Sequence, residues 1–217
     1  MTKYYEPSVK ILKAAFGLQC FWHSEAYLAS SPGVVRTRVG YAGGNLENPT
    51  YRNLGNHIET IEVDYDPSVI TFDNLLARFW DAHDPTVKHK RQYISAIFYY
   101  NDQEKQIAEK SLENEQKKRQ NKIVTEILPI GRFYNAEDYH QKYLLRCEKP
   151  LFNSLGLSNP EVISSHIAAK LNGYAAGYGT LEQFEKESKQ WGLNAKQIEL
   201  VKAVIKDKDG KPQGCGI

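Results

Sequence analysis

The strand-to-helix junction that organises this chain reads Gly17-Leu18-Gln19-Cys20-Phe21-Trp22-His23-Ser24-Glu25. A strand-like segment, Val9 to Phe16, precedes it, and the helix that it opens stops at Ser31-Pro32-Gly33. Cys20 is therefore predicted to lie at a helix N-terminus, where unpaired backbone N–H groups and the positive end of the macrodipole favour a thiolate. Position alone leaves two interpretations open: a nucleophile beside two large aromatic side chains, or an ordinary buried cysteine.

Strand and helix patterns alternate through the first part of the chain. Alternating apolar residues predict strands, and capping residues followed by an apolar stripe predict helices. After the junction, the predicted strands are 35–41, 58–65, 93–100 and 123–128, and the predicted helices follow Thr71 and cover 102–120 and 135–144. This order indicates an α+β protein built as a two-layer α/β sandwich with a mixed sheet.

Only helices are predicted from Pro160 onward. Their ranges are 161–171, closed by Asn172-Gly173, then 181–191 and 195–205. The last stretch is rich in Lys, Asp and Gly, a composition typical of a flexible segment. We therefore expect three parts: an α/β domain over 1–155, a helical extension over 156–206 and a flexible tail over 207–217 that carries Cys215.

The composition is that of an ordinary soluble globular protein of 217 residues with a formal net charge of +2. No basic stripe interleaved with aromatic residues indicates nucleic-acid binding. The start, Met1 to Pro7, lacks signal-peptide character, and no apolar run approaches membrane-spanning length. Three widely spaced cysteines, at 20, 147 and 215, form neither a disulfide framework nor a zinc site. We expect a cytoplasmic protein without a metal, in which any disulfide is transient and catalytic.

The strand over 58–65 holds a second chemical group. Its alternation places Glu59 on the apolar face, while Glu62 and Asp64 are expected to reach water. A carboxyl group on an apolar face has a raised pKa and can donate a proton near neutral pH. The alternative is that Glu59 lies at a wet strand end, and the neighbouring His57 is expected in a turn or at the surface.

A series of short strings completes the pattern. They are Cys20-Phe21-Trp22, Val39-Gly40-Tyr41-Ala42-Gly43-Gly44, Asn48-Pro49-Thr50-Tyr51, Gly55-Asn56-His57-Ile58-Glu59, Val63-Asp64-Tyr65-Asp66-Pro67, His83-Asp84-Pro85-Thr86, Gln92-Tyr93, and Phe133-Tyr134 with Ala136-Glu137-Asp138-Tyr139-His140-Gln141-Lys142-Tyr143-Leu144. In this order they closely resemble the type A peptide methionine sulfoxide reductases, which act on the S epimer of the sulfoxide. The resemblance covers about residues 8 to 147 and makes 1–155 the catalytic domain. The fold expected with it is an α+β sandwich whose mixed sheet forms a ferredoxin-like plait.

The resemblance implies a thiol-dependent reduction of methionine sulfoxide, free or in proteins, in the repair of oxidised proteins. Cys20 would attack the sulfoxide sulfur, and Glu59 would protonate the sulfoxide oxygen as the S–O bond weakens. This step leaves methionine and a sulfenic acid on Cys20. The remaining groups implied are Phe21 and Trp22, which would hold the substrate methyl group, and the hydroxyl donors Tyr51 and Tyr93.

A disulfide step is implied as well. A second cysteine would condense with the sulfenic acid, and thioredoxin, or dithiothreitol in vitro, would reduce the resulting disulfide. Cys215 is the preferred resolving residue because the family commonly uses a C-terminal cysteine of this kind, and Cys147, expected in the packed domain, is the alternative. The implied partners are thioredoxin and oxidised methionine. No nucleic acid, membrane, metal or organic cofactor is implied, and we expect a monomer.

Two positions depart from the family pattern. His23 stands where the family usually has glycine, and it is either a cation that stabilises the Cys20 thiolate or a solvated helix residue. The short segment 87–91 replaces a longer, Gly-rich loop, and Ile94 replaces the arginine that usually follows the tyrosine. We expect a more open site with a changed rate or substrate preference.

Two other functions stay open from the sequence. A cysteine–histidine hydrolase would use His57 or His140 as its base, but it gives no role to a protonated Glu59. A binding protein for oxidised methionine would keep Phe21 and Trp22 and lack turnover. Turnover with dithiothreitol separates the reductase from both.

Overall fold

Six strands form one mixed sheet in the computed structural model, which describes residues 3–208 and 210–211. They are β1 (Leu12–Leu18), β2 (Val34–Ala42), β3 (Ile58–Tyr65), β4 (Ser95–Tyr99), β5 (Glu126–Pro129) and β6 (Tyr134–Asn135). The order across the sheet is β5-β4-β1-β3-β2-β6, with β5 parallel to β4 and the other neighbours antiparallel. The prediction of an α+β protein with a mixed sheet is confirmed.

Helices follow the strands and fill the C-terminal part. They are α1 (Phe21–Ala29), α2 (Phe72–Asp81), α3 (Asp102–Gln116), α4 (Tyr143–Cys147), α5 (Lys149–Leu155), α6 (Asn159–Ser164), α7 (His166–Ala175), α8 (Leu181–Glu187) and α9 (Ala195–Lys208), with 3₁₀ helices at Arg91–Tyr93 and Ser188–Gln190. The predicted starts of α1 after Cys20 and of α2 after Thr71 are confirmed. Across the described ranges, no helix has the length and apolar character needed to cross a lipid bilayer.

The segment before α4 is not the helix predicted over 135–144. Residues 134–135 pair with β2 as a short strand instead. Residues 136–142 form no helix, and Lys142 has a left-handed backbone (φ +54°). The helix therefore begins only at Tyr143. The prediction was wrong because the hydrogen bonds that hold β6 come from a part of the chain far away in sequence.

Smaller boundary errors follow the same logic. Tyr93 lies in a 3₁₀ helix, and β4 starts after it. Helix α3 ends before the predicted Gln120, and β5 starts after the predicted Ile123. The helix predicted over 161–171 is two helices, because Ser165 has an extended backbone (φ −80°, ψ 127°) and its side chain caps α7. Helix α5 had no sequence prediction.

Two apolar clusters cover the two faces of the sheet. The larger lies between one face and helices α1, α2 and α3. The smaller covers the other face, since alternate residues of each strand point to opposite sides, and its buried members are Ala15, Ala42, Ile58, Ala96 and Phe98. Strand β3 is therefore buried on both faces.

This double burial overturns the expectation that Glu62 reaches water. Glu62 is only 4% exposed. Its carboxylate accepts hydrogen bonds from Lys13 Nζ (2.6 Å), Arg38 Nε (2.8 Å) and the Tyr100 hydroxyl (2.9 Å). A carboxylate can be buried here because two cations and a hydroxyl replace its water.

The C-terminal helices pack against α1 through α7, which is buried along its whole length. Lys170 Nζ of α7 donates to the carbonyl oxygens of Ala29 (3.1 Å) and Ser31 (2.9 Å), where α1 ends. Gly173 permits the close approach of the two helices, because a Cβ there would lie 3.2 Å from the Cβ of Ser30. The helical extension therefore supplies a donor to the carbonyl oxygen of Ala29, the last residue of α1, and a second donor to that of Ser31, which also accepts from the backbone N–H of Val34.

Candidate active site

Cys20 is the N-cap residue of α1 and lies two residues after the end of β1. Its backbone is extended (φ −64°, ψ 119°), and Gln19 before it is left-handed (φ +61°), an uncommon conformation for a residue with a side chain. Ser24 Oγ fixes this turn by donating to the carbonyl oxygens of Leu18 (2.9 Å) and Cys20 (3.2 Å). The sulfur is partly exposed, at a helix N-terminus that favours its thiolate.

Glu59 of β3 lies beside this turn and is only 1% exposed. Its Oε2 accepts a hydrogen bond from the backbone N–H of Phe21 (3.2 Å), the residue after Cys20. Its Oε1 accepts one from Gln92 Nε2 (2.7 Å). Burial raises the pKa of Glu59 to about 7, against the smaller lowering effect of these two hydrogen bonds. A buried, partly protonated acid therefore lies beside the turn that carries Cys20. The strand pattern predicted its burial and its raised pKa but not this position.

Gln92 is a site residue to which the sequence analysis gave no role. It belongs to the 3₁₀ helix 91–93, which also carries Tyr93. The string Gln92-Tyr93 that belongs to the family resemblance was a signal, but the contact of Gln92 with Glu59 depends on the fold.

Two tyrosine hydroxyls meet at the same place. The oxygens of Tyr51 and Tyr93 are 3.3 Å apart. Burial, the hydrogen bond with Tyr51 and the negative charges of Glu59 and Cys20 all raise the pKa of Tyr93, with burial the largest cause. Tyr93 therefore stays protonated and can donate to an oxygen atom bound between these groups. Tyr51 is oriented by its backbone N–H, which donates to Glu137 Oε1 (2.9 Å).

The two aromatic residues after Cys20 differ in their surroundings. Phe21 is buried against the rings of Tyr41 and His140, with centroid distances of 6.2 and 5.1 Å. Trp22 is only partly buried, and its ring stacks on Tyr143 at 3.9 Å. An apolar wall next to the sulfur is therefore present, with Trp22 as its more accessible part.

His140 orients Trp22. The indole Nε1–H donates to His140 Nδ1 (2.8 Å), so this nitrogen carries no proton. The ring proton is then on Nε2, which is buried, has no hydrogen-bond partner among the described residues and lies 3.9 Å from Glu137 Oε2. Burial lowers the pKa of His140, with an opposing effect of Glu137. From the sequence, His140 is a candidate only as a hydrolase base, and its contact with Trp22 is not predicted.

His57, the other candidate base, is buried rather than at the surface. Its Nδ1 accepts a hydrogen bond from the backbone N–H of Gly44 (3.2 Å), and its Nε2 lies 2.8 Å from the carbonyl oxygen of Leu46. Both ring nitrogens therefore hold the loop between β2 and β3. This use of the ring argues against a cysteine–histidine hydrolase with His57 as base.

His23 does not support the hypothesis of a cation beside the thiolate. Its Nε2 lies 2.9 Å from the hydroxyl oxygen of Tyr178, in the C-terminal helical part. Burial lowers the pKa of His23, so the neutral form is favoured at neutral pH. Ile94, which replaces the family arginine, packs against the smaller apolar cluster.

The structure describes only one of the two candidate resolving cysteines, Cys147. Cys147 lies in α4, within the folded part of the chain, but its side chain is exposed rather than packed. Cys215 lies outside the described residues. Within the described part of the chain, no group of three or more His, Cys, Asp or Glu side chains could hold a metal ion.

A buried ion pair attaches the segment that carries His140 to α1. Lys142 Nζ lies 2.9 Å from Glu25 Oε1, and both side chains are 0% exposed. The backbone N–H of Lys142 also donates to Glu25 Oε2 (3.0 Å), and Lys142 Nζ donates to the carbonyl oxygen of Thr37 (2.6 Å). The pair thus fixes His140, two residues before Lys142, relative to the helix that starts at Cys20.

Lys142→Met is expected to lower the free energy of unfolding by about 3–5 kcal/mol, because it leaves the Glu25 carboxylate buried without its cation. Urea denaturation followed by circular dichroism measures the change. Lys110→Met, on the exposed side of α3, is the matched control and should change stability by less than about 0.5 kcal/mol. If both substitutions changed the free energy of unfolding equally, the buried ion pair would contribute no more to stability than an exposed lysine.

Two family models match overlapping ranges of the chain. The model described as Peptide methionine sulfoxide reductase matches residues 12–165. The model described as Selenoprotein methionine sulfoxide reductase A, helical domain, matches residues 156–206.

Similar proteins come from distant organisms. The Peptide methionine sulfoxide reductase of Drosophila melanogaster is 43% identical over 214 residues, which cover 97% of this chain and 87% of that protein. The Peptide methionine sulfoxide reductase MsrA of Methanococcus maripaludis is 44% identical over 150 residues, 64% of this chain and 96% of that protein.

Solved structures show the same likeness. Methionine sulfoxide reductase A of Corynebacterium diphtheriae has a TM-score of 0.57 at 37% identity, covering 65% of this chain and 76% of that chain. Mxr1 from Saccharomyces cerevisiae in reduced form has a TM-score of 0.61 at 30% identity, covering 72% of this chain and 93% of that chain.

Proposed function

This chain belongs to the peptide methionine sulfoxide reductase family, and from that premise we propose how it acts. It is an oxidoreductase that reduces methionine sulfoxide to methionine. The observation that carries the mechanism is the placement of Glu59, which is buried, has a pKa near neutrality and is hydrogen-bonded to the residue that follows Cys20.

In the proposed reaction the Cys20 sulfur attacks the sulfoxide sulfur while Glu59 protonates the sulfoxide oxygen. A neutral acid is required because a carboxylate would repel that oxygen. The hydroxyls of Tyr51 and Tyr93, 3.3 Å apart, are the further donors to the developing negative charge. Trp22, positioned by His140, and the buried Phe21 form the apolar wall for the methyl group.

The electrons for the reduction come from Cys20. The attack forms a bond between the two sulfur atoms; this bond and the S–O bond then break, methionine leaves, and the oxygen ends on the Cys20 sulfur. The sulfoxide sulfur has gained two electrons, and the Cys20 sulfur has lost two and is a sulfenic acid. A second thiol then forms a disulfide with Cys20 and releases water. We propose Cys215 as that thiol, with the exposed Cys147 as the alternative, and thioredoxin as the dithiol that reduces the disulfide.

The remaining expectations become part of the proposal. Residues 1–155 would carry the chemistry, 156–206 would support α1, and 207–217 would present Cys215. The strand order β4-β1-β3-β2, with α1 after β1 and α2 after β3, supports interpreting the centre of the sheet as a ferredoxin-like plait. Recycling by thioredoxin fits a reducing compartment such as the cytoplasm. The protein would act there as a monomer without organic cofactor or metal.

The function is tested with a racemic methionine sulfoxide peptide and dithiothreitol, with both epimers resolved by chiral chromatography. We expect loss of the S epimer only, at a rate proportional to enzyme concentration. A parallel reaction with thioredoxin, thioredoxin reductase and NADPH tests the natural reductant. Loss of the R epimer would contradict the type A assignment. Binding of the peptide without loss of either epimer would identify a binding protein instead.

A further inference from the structure

Four consecutive basic side chains form an exposed loop beside the site. We define the basic loop as Lys88-His89-Lys90-Arg91, which runs into the 3₁₀ helix that carries Gln92 and Tyr93. Its first three residues are exposed to solvent, and Arg91 is partly exposed. The mechanism proposed above uses none of these four side chains.

The basic loop is attached to the catalytic groups at defined points. The side-chain amide of Gln19, the residue before Cys20, donates to His89 Nε2 at 2.9 Å, since an amide nitrogen can only donate. The backbone N–H of Tyr93 donates to the carbonyl oxygen of Lys90 (2.8 Å). These contacts fix the loop directly next to the predicted nucleophile and one of the hydroxyl donors.

Arg91 anchors the far side of the loop. Its guanidinium donates to Glu126 Oε2 (2.7 Å) and to the backbone carbonyl oxygen of Asn56 (3.3 Å). Glu126 is thereby neutralised. Asp84, the other carboxylate near the start of the loop, accepts hydrogen bonds from the backbone N–H and the hydroxyl of Thr86.

The side chains of Lys88 and Lys90 are exposed and form no ion pair with a described residue. Among the residues that the structure describes, no carboxylate oxygen lies within 4.0 Å of either ammonium group. Exposed charges that are not paired with a charge of opposite sign attract an oppositely charged ligand to the entrance of a site and orient it as it approaches. Arg52, next to Tyr51, adds a further cation at the rim.

We propose that the basic loop makes this enzyme prefer oxidised methionines that have aspartate or glutamate within a few residues in the substrate chain. The preference rests on the proposed function, because it concerns which sulfoxides reach Cys20. The carboxylates of the peptide would pair with Lys88 and Lys90 while the sulfoxide lies between Trp22 and the tyrosine hydroxyls.

The test compares three peptides of equal length with a central methionine sulfoxide, flanked by aspartate, serine or lysine. Dithiothreitol is the reductant, so that no protein reductant competes for the loop. We expect kcat/KM for the aspartate peptide to exceed that for the serine peptide by about threefold to tenfold at low ionic strength. The difference should fall below about twofold in 0.5 M salt, where the screening length is shorter than the separation of exposed charges.

Charge reversal identifies the residues responsible. Lys88→Glu with Lys90→Glu should abolish or invert the preference while the serine peptide keeps its kcat/KM within about twofold. Lys110→Glu with Lys117→Glu makes the same change in net charge at exposed positions on α3 and at its C-cap, away from the site, and should leave the preference intact.

Equal kcat/KM values for the three peptides, or an equal effect of both double variants, would overturn the proposed preference. A preference seen only when thioredoxin replaces dithiothreitol would also overturn it and would assign the basic loop to the reductant. Failure to reduce even the serine peptide would overturn the proposed function instead, and fluorescence anisotropy of labelled peptides would then decide whether the loop prefers acidic flanks.

Discussion

Replacing Cys20 by serine is expected to lower kcat/KM for a methionine sulfoxide peptide by at least about 10⁴-fold. A hydroxyl at this N-cap keeps the helix start, since serine is a good N-cap residue. It cannot supply the two electrons that the sulfoxide sulfur must gain. The loss should therefore appear with dithiothreitol as well as with thioredoxin, and circular dichroism should show an unchanged fold.

The matched control is Cys147→Ser, which removes the other described cysteine from the exposed surface of α4. With dithiothreitol it should retain its full rate, because dithiothreitol can reduce the sulfenic acid directly. In a variant with both Cys147→Ser and Cys215→Ser, where no second thiol of the chain can consume the sulfenic acid, a dione reagent selective for sulfenic acids should label Cys20 after one turnover without dithiothreitol, and mass spectrometry locates the label. Label on another residue, or substantial turnover by Cys20→Ser, would refute the assignment of the nucleophile.

Glu59→Gln is expected to lower kcat/KM by about 10²–10⁴-fold, the usual range for loss of a general acid. The amide has nearly the shape of the carboxyl group but has no acidic proton to give to the sulfoxide oxygen. The wild-type profile carries the second signature. Because the acid must be protonated and burial raises its pKa to about 7, kcat/KM should fall as pH rises through 7.

The descending limb near pH 7 should be absent from the Glu59→Gln profile. Glu62→Gln is the matched control, because Glu62 is also buried on β3 but contacts Lys13, Arg38 and Tyr100 rather than the site. That variant should lose stability and keep the pH profile. If the limb near pH 7 persisted in Glu59→Gln, another group would have to be the proton donor.

Local signals in the sequence predicted the elements that present the proposed nucleophile and the proposed acid. Cys20 at the helix start and Glu59 on a buried strand follow from capping and from alternation, which need only neighbouring residues. Alternation alone was wrong for Glu62, because it assumes that one face of a strand meets water. Whether the second face is covered depends on residues after β4 and β5, which only the fold brings there.

The parts of the site that escaped prediction are those held by contacts distant in sequence. The bond from Gln92 to Glu59 joins residues 33 positions apart, and that from Trp22 to His140 joins residues 118 positions apart. The left-handed backbone at Lys142 is stabilised by Glu25 of another helix. No window of neighbouring residues contains both partners of such contacts. Only the family resemblance pointed to the strings in which they occur.

The close packing of α7 on α1 makes the helical extension inseparable from the rest of the chain. The second family model begins at residue 156, within the range that the first one matches, so residue 156 is a natural place to cut the chain when the extension is to be removed. It would remove Lys170, the donor to the last carbonyl groups of α1, and would open the surface around Ser30 on which Gly173 packs. The helix that follows Cys20 would lose the hydrogen bond that Ala29 accepts from Lys170, 141 positions further along the chain. The extension is therefore better regarded as scaffolding shared with the catalytic helix than as a transplantable module.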